Sequence, residues 1–273
     1  MKKILLIGCG SEIGSNLLIL SKKYNFGFDI DTVVNAPIKL DNKFKELNQE
    51  DAILSRLRLA YPLEKNDIKK TKNNVIEVYG KETKLIFSDI KKDLFMLKKK
   101  KWDGILLATS KEDLKNINLL NNLLKFSKYI FGMAESNQMD SFYPALLGFK
   151  SSILKSELSK KSNLIALGSC QTNGWLAQLQ VIIRILNNLN NFKIKRVEVD
   201  IVHPDTPTGR LGTKSFSPRE QDARNNLRPS FSQIDSAMKK LLGTIQAFHT
   251  VSLRVLNEEP GYQINRIFFS GDI

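Results

Sequence analysis

The chain has 273 residues, 42% hydrophobic and 26% charged, an ordinary globular composition and enough for one large domain or two ordinary ones. No run of about 18 apolar residues occurs, so no membrane span is expected; two cysteines are too few for a disulfide framework or a zinc site and suit a reducing cytoplasm. The net charge of +14 raises a nucleic-acid role, but lysine dominates it, the aromatics are not interleaved with it, and the dense run Lys98 to Lys101 abuts a strand, so a solvated basic surface is the better reading.

In chain order, Lys3–Ile7 reads as a buried strand, Gly8–Gly14 as a turn and Ser15–Lys22 as a helix. Asp29–Asn35 is a second strand, ended by Pro37. Val75–Tyr79 and Lys84–Phe87 flank Gly80-Lys81-Glu82 as a hairpin. Gly104–Ala108 is a buried strand, Leu114–Leu124 a helix, and Tyr129–Met133 and Leu164–Leu167 short strands. This alternation predicts a parallel, doubly wound sheet. Beyond it, Trp175–Asn187 reads as a helix and Lys195–Val202 as a strand with one wet face, since Val197, Val199 and Ile201 alternate with polar and charged residues. Thr206–Pro218 is a long loop, Gln233–Ala247 a helix, and His249–Leu256 and Tyr262–Phe269 are strands. The expected fold is α/β: a Rossmann-like, doubly wound cofactor domain over 1–168, then an α+β catalytic domain over 169–273.

Gly8-Cys9-Gly10-Ser11-Glu12-Ile13-Gly14 joins the first strand to the first helix. Glycines there permit a tight turn and a close backbone approach, and the helix start offers N–H groups to a pyrophosphate. The spacing, G-x-G-x-x-x-G, is one residue longer than the commonest dinucleotide pattern. An acid that would hold the adenosine ribose is missing from the end of the second strand, Val33-Val34-Asn35-Ala36-Pro37; Asp29 and Asp31 come too early. With no carboxylate to repel a 2′-phosphate, and Lys39 to attract one, NADP stands beside NAD.

Cys170 follows an apolar strand and is flanked by Ser169, Gln171, Thr172 and Asn173, just before a helix. A helix N-terminus favours thiolate and can hold an oxyanion, so Cys170 reads as a nucleophile. Cys9, inside the glycine turn, reads as packing. Of the two histidines, His203 ends a strand facing a polar loop and is the candidate acid/base partner; His249 reads as structural.

Ser169-Cys170-Gln171-Thr172-Asn173 resembles the S-C-T-T-N signature of phosphorylating glyceraldehyde-3-phosphate dehydrogenases. His203-Pro204-Asp205-Thr206-Pro207-Thr208 resembles that family's histidine with threonines three and five places on, and Asn226–Ser232 its N-I-I-P-S-S-T segment. Weaker similarity covers the glycine turn, Val34–Pro37, Val78–Lys81 and Leu107–Ser110. The resemblance implies that Cys170 attacks an aldehyde, His203 takes the hydroxyl proton, hydride passes to NAD or NADP, and inorganic phosphate releases the thioester as an acyl phosphate. It assigns the cofactor to Gly8, Gly10, Ser11, Glu12, Ile13, Asn35, Ala36 and Thr109. It assigns the phosphorylated aldehyde and the attacking phosphate to Ser169, Thr172, Thr206, Thr208, Arg224 and Ser232. A homo-oligomer is compatible with it; a metal is not implied.

The departures are specific. Gln171 replaces a threonine, Ala36 the ribose-binding aspartate, and Ser232 a threonine. Gln221 stands where the family has an arginine, which Arg219 or Arg224 would have to replace. The chain also stops at Ile273, before strands and a final helix that the family carries. The expected function is oxidation of a phosphorylated sugar aldehyde; the alternative is a catalytically inactive descendant that binds nucleotide or a partner.

Overall fold

A computed structural model describes residues 1–37, 48–94, 97, 100–146, 162–186, 193–204, 229–230, 232–241, 247–255 and 262–270. They fall into two compact units: Met1–Met139 with Ser162–Ile165, and a second that takes up residues 140–146 and the chain from Ala166.

In the first unit β1 (Lys2–Ile7) is the central strand. Ile4 to Ile7 are all buried, and only Ile4 and Leu6 join the cluster that α1 (Glu12–Lys23) and α2 (Gln49–Ala60) cover. Leu5 and Ile7 are therefore shielded from the other face, as a parallel strand requires. On one side β1 pairs in parallel with β2 (Phe28–Asn35), which pairs in parallel with β5 (Lys81–Phe87). An antiparallel appendage, β3 (Ile68–Lys72) and β4 (Val75–Val78), extends that edge. On the other side β1 pairs in parallel with β6 (Gly104–Leu107), and β7 (Ile130–Gly132) and then β9 (Leu164–Ala166) follow in the sheet; β8 (Asp140–Ser141), which precedes β9 in the chain, belongs to the second unit. The order β3-β4-β5-β2-β1-β6-β7-β9 is mostly parallel and compatible with a Rossmann-like α/β fold.

Boundaries differ from the sequence pattern where a cap intervenes. The first helix starts at Glu12 because the Ser11 hydroxyl accepts the Gly14 N–H at 3.0 Å, so three residues expected in the turn are helical. The apolar stretch 114–124 is two helices, α3 (Lys111–Lys115) and α4 (Ile117–Leu123), because Asn116 ends one and caps the other through the Leu119 N–H.

In the second unit the sheet runs β11 (Pro229–Ser230), β12 (Ala247–Val255), β10 (Lys193–Pro204), β13 (Tyr262–Ser270). Val197, Val199 and Ile201 of β10 are buried against α5 (Cys170–Leu186) and α6 (Gln233–Leu241), through Trp175, Leu179 and Ile183 on one helix and Ile234, Met238 and Leu241 on the other. The expected alternation of β10 holds. The opposite face carries the ion pairs Arg196–Glu198 and Arg266–Asp200 beside exposed Tyr262, Ile264 and Phe268.

Candidate functional site

The glycine turn is fixed by contacts that allow no side chain. Gly8 has φ +95°, and a Cβ there would lie 2.6 Å from the Ala108 carbonyl oxygen. A Cβ on Gly14 would lie 2.2 Å from the Gly8 oxygen, so α1 packs directly on the turn. The Ser11 hydroxyl lies 2.9 Å from the Gly8 oxygen and 2.8 Å from the Ala108 oxygen, tying the ends of β1 and β6 together. Asn35, at the end of β2, accepts the Gly10 N–H at 3.4 Å and donates to the Cys9 sulfur at 3.3 Å.

These strand ends open on a cleft of about 280 Å³. It is lined by Ile7 of β1 and Gly8 just after it, Val34 of β2 and Ala36 just after it, Asp89, Ile90 and Lys91 after β5, and Thr109 and Asp113 after β6. Its place is the carboxyl side of a parallel sheet where strand order reverses, the usual ligand crevice of open α/β folds. Its volume is just under the roughly 300–1,000 Å³ of ligand clefts. Thr109 Oγ1 is buried beside it without a hydrogen-bond partner among the described residues, a polar atom left for a ligand or water. Lys91 Nζ lies 2.6 Å from Asp113 Oδ1. The hydrogen bond and charge of Asp113 hold Lys91 above the ordinary lysine range.

Of the residues expected to hold a dinucleotide, Gly8, Ala36 and Thr109 line this cleft. Gly10, Ser11 and Asn35 build the turn behind it, and Glu12 and Ile13 are exposed at the start of α1. Asp29 and Asp31 are spent elsewhere: Asp29 lies 2.6 Å from buried Lys22, and Asp31 is bound by Lys100 and Trp102. Lys39 lies outside the described residues. Sequence reasoning missed Asp89, Ile90, Lys91 and Asp113; the signal was their place just past two strands.

In the second unit Cys170 is exposed, in no disulfide, and is the first residue of α5. The helix begins five residues earlier than its apolar pattern because the Ser169 hydroxyl caps it, accepting the Thr172 N–H at 3.1 Å. The Ser169 and Thr172 hydroxyls also lie 2.9 Å apart. Ser232 donates to Gln171 Oε1 at 3.1 Å, and its oxygen accepts the Ile234 N–H at 3.3 Å. Both serines expected to meet an attacking phosphate are thus bonded within the protein. Gly168 (φ +74°) turns the chain into the helix, with Asn173 Nδ2 bound to the Leu167 and Ser169 carbonyls at 2.8 and 3.1 Å. The His203 backbone stands at the end of β10, paired with Arg254 of β12. His249, on the same β12, is exposed. Thr206, Thr208, Arg219, Gln221 and Arg224 lie outside the described residues.

No family model matches the chain, and no curated protein does. Among the described residues no helix is long and apolar enough to cross a membrane, and no group of three or more His, Cys, Asp or Glu gathers to hold a metal.

Proposed function

We propose that the chain binds a nicotinamide dinucleotide, NAD or NADP, and oxidises a phosphorylated sugar aldehyde through Cys170, in the manner of the glyceraldehyde-3-phosphate dehydrogenases that it resembles. The observation that carries the reading is the cleft in front of the Gly8–Gly14 turn, with the Thr109 hydroxyl, unpartnered among the described residues, at its wall. The residues present fit a nucleotide: glycine backbone at the floor, the capped start of α1 for a pyrophosphate, and an apolar side from Ile7, Val34 and Ile90. When bound, the nicotinamide supplies the hydride acceptor.

The chain's own residues do the rest. The Cys170 sulfur adds to the aldehyde carbon and makes a thiohemiacetal. The first turn of α5, with its dipole, stabilises the oxyanion formed in that addition. His203, by the resemblance, removes the hydroxyl proton as hydride leaves, and a thioester on Cys170 results. One observation favours a second reading, an inactive descendant that still binds nucleotide: Ser169 and Ser232 are bonded to Thr172 and Gln171 instead of standing ready for phosphate.

The test is purified protein with NAD+ or NADP+, phosphate, and a panel that includes glyceraldehyde 3-phosphate and erythrose 4-phosphate. Reduced cofactor should form, and Cys170→Ser should abolish it while dinucleotide binding persists. No reduced cofactor from any aldehyde would overturn the catalytic reading and leave the second.

A further inference from the structure

We infer that Asp89 chooses the dinucleotide and selects NAD over NADP; the inference rests on the nucleotide reading above. β2 and β5 are parallel neighbours, with Asn35 opposite Phe87 and the Ser88 N–H donating to the Asn35 carbonyl at 2.8 Å. The chain segments that hold Ala36 and Asp89 therefore leave the sheet side by side, and both residues line the cleft. Where a dinucleotide fold ordinarily places an acid for the ribose diol, the position just past β2 offers only the Ala36 methyl. The acid has moved one strand over.

The carboxylate of Asp89 is held and has capacity to spare. Oδ1 accepts the Lys91 N–H at 3.0 Å, which fixes the turn, and Oδ2 has Lys92 Nζ only at 3.9 Å. Its side chain is 39% exposed, within reach of a ligand. Among the described residues, the charged side chains that line the cleft are Asp89, Lys91 and Asp113. Lys91 and Asp113 offset each other at 2.6 Å, and Lys92, largely in solvent, meets Asp89 only at 3.9 Å, so among these groups Asp89 sets the sign. A ribose diol brings two O–H donors to that carboxylate, a charge-assisted contact. A 2′-phosphate brings two negative charges to it instead.

The experiment is calorimetric titration of the full chain with NAD+ and with NADP+, in phosphate-free buffer. NAD+ should bind at least about tenfold tighter, the value of one hydrogen bond to a charged group. Asp89→Asn keeps an oxygen for the Lys91 N–H, so the turn survives; NAD+ affinity should fall about tenfold and the preference should vanish. Adding Ala36→Asp to Asp89→Asn should restore the preference, which a merely structural role for Asp89 would not produce. NADP+ binding as tightly as NAD+ to the wild-type chain, or a preference unchanged in Asp89→Asn, overturns the inference while the nucleotide reading stands. Binding of neither dinucleotide overturns both.

Discussion

Gly14→Ala should destabilise the first unit although it removes a glycine from a helix. The added Cβ would stand 2.2 Å from the Gly8 oxygen, 2.8 Å from Cys9 Cα and 2.9 Å from the Gly8 carbonyl carbon. All three are main-chain atoms, so no flexible side chain can yield and α1 must move off the turn. Overpacking of this kind costs about 1–3 kcal/mol, occasionally more. Exchanging helical glycine for alanine returns at most about 1 kcal/mol. Shifting α1 also strains the bond from the Gly14 N–H to Ser11, whose hydroxyl bridges β1 and β6. The net is a loss of about 1–2 kcal/mol. Gly174→Ala is the matched control: it too is helical, but its Cβ would meet only Gln263 Oε1, at 3.7 Å. That change should stabilise the second unit by about 0.4–1 kcal/mol. Urea unfolding followed by tryptophan fluorescence separates the two, because Trp102 lies in the first unit and Trp175 in the second; single-tryptophan variants report each. A Gly14→Ala midpoint at or above that of its parent, with Gly174→Ala behaving as stated, would refute the packing argument.

Thr109→Val removes a buried hydroxyl that has no partner among the described residues; stability should hold or rise by about 1 kcal/mol while NAD+ affinity falls up to about tenfold, as paired urea and calorimetric titrations would show. Iodoacetamide should label exposed Cys170 and spare buried Cys9, giving a single adduct by mass; labelling of both at similar rates would contradict the burial. Burial pushes the Asp31 carboxyl up, but hydrogen bonds from Lys100, Thr32 and Trp102 together with the Lys100 charge outweigh it and hold it below the usual range. Its contribution to stability is therefore complete above the ordinary aspartate value of about 3.9 and fades as pH falls through the lower, folded value. Asp31→Asn should flatten that part of the acid limb in urea midpoints taken at successive pH values, and an unchanged limb would remove the assignment.

Period and punctuation carried most of the strand pattern. β1, β2, β6 and β10 are legible because their apolar residues are continuous or alternate, and the hairpin of β4 and β5 because Gly80 adopts φ +72° between them. β3 was not, since Ile68-Lys69-Lys70-Thr71-Lys72 buries only Ile68 and takes its conformation from pairing with β4. α2 escaped too: its first turn is set by Asn48 and Asp51 in a reciprocal cap, and two of its buried residues, Glu50 and Arg56, are charged. Missing Asp89 and Lys91 had a topological cause. The sequence pattern reads Lys84–Phe87 as one arm of a hairpin, and a hairpin strand has no reason to end at a ligand crevice; only its parallel pairing with β2 puts its far end there. In the second unit, residue type marked Cys170, while the bonding of Ser169 and Ser232 depends on neighbours three and sixty-one positions away.

The strand at the centre of the first sheet is the first one made. β1 finds β2 after about twenty residues, but its other neighbour, β6, begins only at Gly104. A growing chain therefore carries a half-paired, apolar strand through roughly seventy residues of synthesis, at about 5–20 residues per second. The Ser11 hydroxyl cannot reach its Ala108 acceptor until that interval ends. Hairpin pairing of β4 with β5 can form early and locally, whereas the turn that floors the cleft must wait. Nascent chains released just before and just after residue 108 should differ sharply in protease resistance at β1.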